Sequence, residues 1–224
     1  MFPISLISFV YNYASLLQQL HLPASYNAAK EYGLGCRAFE EISNQGHCSA
    51  CSAFALASAY GMRSCKTGGN DLPSAYRIFD CGKGNCDAGM DIYDLVGSMR
   101  NGITDLAQTP QVYGWGCPLS GPLKISGLFP IMLSPLIKRE ILANGPVLAV
   151  VSLSGEYYEN YTTGVYDDKS LLGNHMVVVI GWGAATDTEP EHWIIQNSWS
   201  TDWGEGGRGK FSMSFFTVMY AIYK

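Results

Sequence analysis

Charged residues are scarce in this chain. Asp, Glu, Lys and Arg make up 15% of its 224 residues, whereas about 25% is usual in globular domains. Uncharged polar residues, tyrosine and glycine must therefore supply much of the surface, which suits a protein outside the cytosol. Positive charge is scarcer still, because 14 Lys and Arg face 19 Asp and Glu and the net charge is −5. No basic run is present to neutralise phosphates, which argues against nucleic-acid binding.

Long apolar runs are also missing. No stretch reaches the roughly 18 uninterrupted apolar residues of a membrane-spanning helix, so we predict no membrane span. The apolar start at residues 1–10 could be the core of a secretory signal, but no Lys or Arg precedes it. Residues 1–21 are therefore interpreted as a signal, a pro-segment remnant or an ordinary apolar segment.

Cysteine is present in an odd number. Seven cysteines in a chain of this size indicate disulfides formed in an oxidising compartment. Three bridges would leave one thiol, which is either a reactive nucleophile or a site of intermolecular pairing. Spacing alone does not choose among the 15 connectivities that six cysteines allow.

The residue composition and the hydrophobic pattern of the chain change near residue 122. Residues 22–122 are rich in Cys and Ala, and residues 51–62 carry apolar side chains on nearly all sides, which predicts a buried central helix. Residues 123–224 contain β-type runs at 146–151, 175–180 and 193–197 and a short helix at 138–142. We therefore predict an α+β protein with a mainly helical lobe, a mainly β lobe and a cleft between them.

The sharpest local signal runs from Gln45 to Phe54, where a polar turn leads directly into the central helix. Cys51 lies in the first turn of this helix. Unpaired backbone N–H groups and the helix dipole favour a thiolate there. The pattern therefore predicts a lowered thiol pKa and makes Cys51 the candidate nucleophile.

A nucleophilic cysteine needs a base and a third group that orients the base. Among four histidines, His175 opens a β run in the other half, where its side chain can project into the cleft, and His47 is the second choice. Asn197 ends a later β run and can bind the imidazole, while Trp199 can cover that hydrogen bond. A buried histidine without a catalytic role is the alternative interpretation of His175.

These segments, in this order, resemble the papain-like cysteine peptidase family, and within it the cathepsin B group. The resemblance covers nearly all of residues 22–212. Its motifs are a mature N-terminus at 22–26, the nucleophile at 45–54, the histidine strand at 174–183 and the Asn-Ser-Trp segment from 197 to 204. It implies a papain-like two-lobed fold, with a helical left lobe, an antiparallel β-barrel-like right lobe and the active-site cleft between them.

The resemblance also implies the roles of individual residues. Cys51 would be the nucleophile, His175 the general base and acid, and Asn197 the residue that orients His175. Gln45 would donate a side-chain N–H to the oxyanion hole, beside the backbone N–H of Cys51. The implied disulfides are Cys36–Cys65, Cys48–Cys86 and Cys81–Cys117.

Two other uses of the Cys48-x-x-Cys51 spacing fit less well. A metal site formed by these two cysteines with Cys81 and Cys86 would leave an odd number of oxidisable cysteines. A thioredoxin-like redox pair would need a surrounding βαβ pattern, which is absent. We therefore predict neither a metal nor another cofactor.

Several residues near the inferred cleft are candidates for substrate binding, and Trp199 is one of them. Gly89 follows Ala88 where the family has two glycines, and we expect it to pair with the backbone of an extended substrate. Met90, Met176 and Ala221 resemble walls of the pocket for the side chain two residues before the scissile bond. They carry no charge, which predicts a preference for medium apolar side chains. Methionines that merely fill the core are the alternative.

Departures from the family pattern shape the predicted activity. Ser52 replaces the usual Trp after the nucleophile, and residues 87–116 contain no histidine, whereas cathepsin B has a His-bearing loop there that binds a substrate's C-terminal carboxylate. We therefore predict an endopeptidase that acts through a thiolate-imidazolium pair and an acyl-enzyme. The alternative is a catalytically silent homologue that binds peptides or proteins, favoured by Ser52 and Ala88.

Partners and location follow from the resemblance and the cysteines. We expect peptide or protein substrates, cystatin-like or pro-segment inhibitors, and a lysosome- or vacuole-like acidic compartment or secretion. Asn160, followed by Tyr and Thr, matches the acceptor pattern for N-glycosylation.

Overall fold

The computed structural model describes residues 22–108, 113–114, 116–117, 121–153, 158–167 and 173–224. Residues 1–21, interpreted above as a signal, a pro-segment remnant or an ordinary segment, lie outside this described part. No helix of the described ranges is both long and apolar enough to cross a membrane.

Helices predominate in the first half of the described chain. After a short strand β1 (Tyr26–Asn27) come α1 (Ala28–Tyr32), α2 (Arg37–Glu40), α3 (Cys51–Lys66), α4 (Ala75–Cys81), α5 (Ile92–Arg100) and a 3-10 turn (Leu106–Gln108). Helix α3 is the predicted central helix, and its side chains are buried continuously from Ser52 to Ser64. It runs past the predicted end at residue 62 because Arg63 and Ser64 find partners in the interior.

The second half is a sheet with one helix packed against it. Its elements are β2 (Gly127–Ile131), α6 (Ser134–Asn144), β3 (Val147–Leu153), β4 (Val165–Tyr166), β5 (Gly173–Gly183), β6 (His192–Gln196), β7 (Arg208–Ser212) and β8 (Phe216–Tyr223). The strand order is β2-β8-β3-β5-β6-β7-β4, and β1 pairs with β5.

The sheet differs from the expected antiparallel barrel in two respects. Its strand order is open, with β2 at one end and β4 at the other. The pairing of β4 with β7 is parallel, whereas the other strand pairs of the described residues are antiparallel. Closure and strand direction depend on long-range pairing, which short β-type runs do not reveal.

Buried polar contacts join the helical half to the sheet half. Arg63, on α3, binds the Glu140 carboxylate through Nη2 at 2.7 Å and donates through Nε to the Pro146 carbonyl at 2.8 Å. Gln196, at the end of β6, donates through Nε2 to the Ala38 carbonyl at 2.8 Å. These contacts join α3 and α2 of the helical half to the sheet half.

Three disulfides cross-link the helical half. They join Cys36 to Cys65, Cys48 to Cys86 and Cys81 to Cys117, the pairing that the resemblance implies. Cys51 is the free cysteine of the described residues. The metal-site and redox alternatives are therefore wrong, because Cys48, which both require beside Cys51, is bridged to Cys86.

Candidate active site

Cys51 is the first residue of α3 and is partly exposed. The segment before it is held to the helical half by the Cys48–Cys86 bridge and by the Ser49 N–H, which donates to the Cys86 carbonyl at 2.9 Å. Ala50, the residue that caps α3, offers no side-chain acceptor. The backbone N–H groups at the start of the helix therefore remain available to the sulfur.

Burial and backbone dipoles act on the Cys51 thiol in opposite directions. Burial raises the pKa of the thiol and is the larger effect, while the backbone N–H groups of Met176, Ser52 and Cys51 lower it. The lowered pKa predicted from the helix start is therefore wrong for the sulfur on its own. Position on a helix shows the favourable dipole, but it does not show how much solvent the fold removes.

His175 lies on β5 and is buried. Its Nε2 and the Asn197 Oδ1 are 2.9 Å apart, which leaves Nδ1 for proton exchange with a neighbour. Burial lowers the pKa of His175 to about 4, although the Asn197 hydrogen bond acts in the opposite direction. His175 and Cys51 line the same cavity.

Burial thus favours the neutral form of both reacting groups. An ion pair must draw its stability from the attraction between thiolate and imidazolium, which is strong where solvent is excluded. It also draws on nearby dipoles that favour either charge, such as the backbone N–H groups beside the sulfur. The charge state of the pair is therefore sensitive to each polar group around it.

A chain of hydrogen bonds connects Asn197 to Gln45. The Asn197 Oδ1 also accepts from the Ser198 N–H at 2.8 Å, and the Ser198 Oγ donates to the Gln45 Oε1 at 2.7 Å. Gln45 Nε2 in turn donates to the Cys48 carbonyl at 2.9 Å. Ser198 orients Gln45 and was not identified from sequence, although it stands directly after Asn197. The oxyanion role of Gln45 stays a prediction.

Aromatic rings enclose the imidazole. The Trp199 ring centroid is 5.1 Å from that of His175, as expected for a cover over the hydrogen bond with Asn197. The Tyr158 ring is 5.7 Å from His175 and 4.8 Å from Trp199. Trp199 is not among the residues that line the cavity, so its contact with substrate stays a prediction. Tyr158 was missed because no motif marks it.

The cavity around Cys51 and His175 has a volume of about 360 Å³. Its lining residues are Ser49, Cys51, Ser52, Ala88, Gly89, Met90, Val150, Asn174, His175 and Met176. Met90 and Met176 are therefore present as expected. Ala221 does not line this cavity, because it is buried within β8, in register with Phe129. Val150, which the sequence does not indicate, lines the cavity, since the pairing of β3 with β5 sets it opposite Met176.

The backbone of Gly89 is not open as expected. Its N–H donates to the Asn85 carbonyl at 2.6 Å, and its carbonyl accepts from the Asn85 N–H at 3.0 Å. Gly89 has a φ of 84°, a conformation that favours glycine. The expected pairing with an extended substrate therefore competes with a contact inside the loop.

Comparisons with known proteins agree with this geometry. The family model described as papain family cysteine protease matches residues 22–215. A cathepsin L-like proteinase of Phaedon cochleariae is 29% identical over 180 residues, covering 74% of this chain and 54% of that protein. The cysteine endopeptidase RepA of Oryza sativa subsp. japonica is 32% identical over 178 residues, covering 74% and 47%.

A solved structure shares the fold. The proCathepsin B S9 from Trypanosoma congolense superposes with a TM-score of 0.77 at 25% identity, covering 92% of this chain and 79% of that one. The chain spans about half the length of the curated relatives it matches.

Proposed function

The chain belongs to the papain family of cysteine proteases, and from that premise we propose that it is a cysteine endopeptidase. One observation carries the proposal. The free Cys51, at the start of α3, shares a cavity with His175, whose Nε2 is 2.9 Å from the Asn197 Oδ1. Nucleophile, base and orienting group are thus together.

The proposed reaction has two steps. The Cys51 thiolate attacks the carbonyl carbon of the scissile bond, and the His175 imidazolium gives its proton to the leaving amine, which leaves a thioester on the sulfur. A water molecule then gives a proton to His175 and attacks the thioester, which releases the acid and the enzyme. The Cys51 N–H and the Gln45 amide would stabilise the oxyanion in both steps.

The cavity walls support a preference for apolar side chains in the substrate. Met90, Val150 and Met176 are uncharged, and the described lining contains no carboxylate. A basic side chain would lose its hydration there without gaining a partner. Peptides with Leu or Val two residues before the cleaved bond should therefore be cut faster than peptides with Arg. Internal cleavage, rather than dipeptide release, follows from the lack of histidine in residues 87–116.

Setting and partners complete the proposal. Three disulfides and the family of the chain support an acidic lysosome- or vacuole-like compartment or secretion. We expect protein or peptide substrates and inhibitors of the cystatin or pro-segment kind. Asn160 is exposed in a turn, which supports N-glycosylation at this site.

A silent binding protein is the second candidate. It is favoured by the burial of Cys51 and His175, which favours the neutral form of each, and by the Gly89 backbone, which is already hydrogen-bonded to Asn85. Such a protein would bind extended chains in the cleft without cutting them.

Labelling with an epoxysuccinyl inhibitor at mildly acidic pH separates the two candidates. We expect mass spectrometry to show one inhibitor on Cys51 of the unaltered protein and none on the His175→Ala variant. His47→Ala is the matched control and should label normally, because His47 is exposed and lies outside the cavity lining. An unlabelled Cys51 in the unaltered protein would favour the silent binder.

A further inference from the structure

The hydroxyl group of Tyr158 is buried and has no hydrogen-bond partner among the described residues. The whole side chain is 0% exposed. An unpartnered buried hydroxyl destabilises the folded protein, so it requires a reason, such as a catalytic role. The described catalytic contacts do not use this hydroxyl.

Tyr158 is fixed beside His175. Its ring packs against those of His175 at 5.7 Å, Trp199 at 4.8 Å and Trp203 at 5.1 Å. Its backbone carbonyl accepts from the Trp203 Nε1 at 2.9 Å. With the ring and the backbone held, the hydroxyl has a defined place, and only the direction of its O–H bond is free.

Few groups that can carry a charge act on the Tyr158 hydroxyl among the described residues. A thiolate on Cys51, at the start of α3, and a phenolate on Tyr166, on β4, would each raise its pKa. The imidazole of His175, on β5, is the neighbouring group that can become positive. Burial raises the pKa of Tyr158 well above its usual value, so the phenol keeps its proton at neutral and acidic pH.

We propose that Tyr158 is a positioning residue whose O–H dipole stabilises the charged form of the Cys51–His175 pair. In the neutral state the thiol sulfur is a weak acceptor, and the phenol remains unpartnered. When the proton moves from sulfur to imidazole, the thiolate attracts the O–H bond, which turns toward it. The unused donor and the buried negative charge then stabilise each other. This inference rests on the proposed function.

The Tyr158→Phe variant tests the inference because it keeps the ring and removes the donor. The measurement is the pH dependence of Cys51 alkylation by iodoacetamide, a neutral reagent that reacts with the thiolate. We expect the acidic limb to move up by about one pH unit, so that alkylation below the limb slows about tenfold. The rate at the upper plateau should stay within about twofold.

Tyr161→Phe is the matched control. Tyr161 belongs to the same aromatic cluster, and its hydroxyl donates to the Gly164 carbonyl and accepts from the Lys210 N–H. Its loss should lower the melting temperature without moving the acidic limb. A limb shift of equal size in Tyr161→Phe would overturn the inference, because it would reflect loosened packing.

Two further outcomes are decisive. If the limbs of Tyr158→Phe and the unaltered protein superimpose while Cys51 is alkylated normally, this inference alone is overturned. If the unaltered protein shows no His175-dependent alkylation at any pH, the proposed function is overturned as well.

Should Tyr158→Phe fail to fold, 3-fluorotyrosine at position 158 is a stronger donor and should move the limb down. An unmoved limb in that variant would again contradict the inference.

Discussion

The two halves of the molecule hold Cys51 and His175 by different means. In the helical half, Cys51 stands at the start of α3, three residues after the bridged Cys48, so its place is set by nearby chain and a covalent link. In the sheet half, which has no disulfide among its described residues, strand pairing and aromatic packing place His175. The proposed nucleophile is thus positioned by nearby chain, whereas the proposed base is positioned by segments far apart in the sequence.

This difference predicts different weaknesses. Loss of a disulfide in the helical half should increase the conformational entropy of the unfolded chain, whatever the pH. The sheet half should instead respond to charge, because its aromatic enclosure excludes the water that an imidazolium needs. Each kind of perturbation can be applied separately.

The largest effect is expected from removing the Cys36–Cys65 bridge. The two cysteines are 29 residues apart, and opening a loop of that length should lower the free energy of unfolding by about 3–4 kcal/mol. Urea unfolding of Cys36→Ala/Cys65→Ala measures this loss. It is followed by circular dichroism at a pH where the free energy of unfolding depends little on pH. Cys51→Ala is the control, since it removes a cysteine but no bridge. Equal midpoints for both variants would show that the helical half does not depend on this link.

A somewhat smaller effect is expected from charging His175. In a Cys51→Ala protein, the folded pKa of about 4 lies below the usual 6.5, so the unfolded chain takes up its proton first as the pH falls. The free energy of unfolding should therefore drop by about 3 kcal/mol between pH 6.5 and pH 4. The drop should be absent from Cys51→Ala/His175→Gln.

The same titration sharpens the comparison between the halves. With Cys51 present, an ion pair would favour the protonated His175 in the folded state, and the fall in stability should be shallower than in Cys51→Ala. Parallel stability curves for Cys51→Ala and its His175→Gln derivative would show that burial of the imidazole carries no such cost.

Sequence reasoning succeeded best where the relevant contacts are local. The start of α3 at Cys51 follows from a polar turn that meets an apolar run, and β5 and β6 follow from short β-type runs near His175 and Asn197. The motifs occur in the order expected for the family, and the family model matches residues 22–215, close to the 22–212 that the resemblance covers.

Features that depend on strand register and on burial could not be predicted from local sequence patterns. Val150 lines the cavity because β3 pairs with β5, whereas Ala221 is buried on β8 outside the cavity lining. Residue types alone predict an open Gly89 backbone, whereas in the structure it is hydrogen-bonded to Asn85 within the loop. The pKa of Cys51 is raised by burial, whereas its position in the helix alone indicates the opposite direction.

The smallest effect concerns a contact that links the two halves at the site. The buried Ser198, after β6, donates to the Gln45 Oε1 at 2.7 Å and thereby orients an amide of the helical half. Ser198→Ala should leave that amide held only through Nε2 by the Cys48 carbonyl among its described hydrogen bonds, and should cost about 1 kcal/mol, or about fivefold in kcat/KM. The loss should appear in kcat rather than KM, because an oxyanion forms only as the reaction proceeds. Ser214→Ala removes an exposed hydroxyl that contacts only the Ser212 Oγ among its described hydrogen bonds, and should leave both constants unchanged. A raised KM with unchanged kcat in Ser198→Ala would show that Gln45 binds substrate without stabilising the oxyanion.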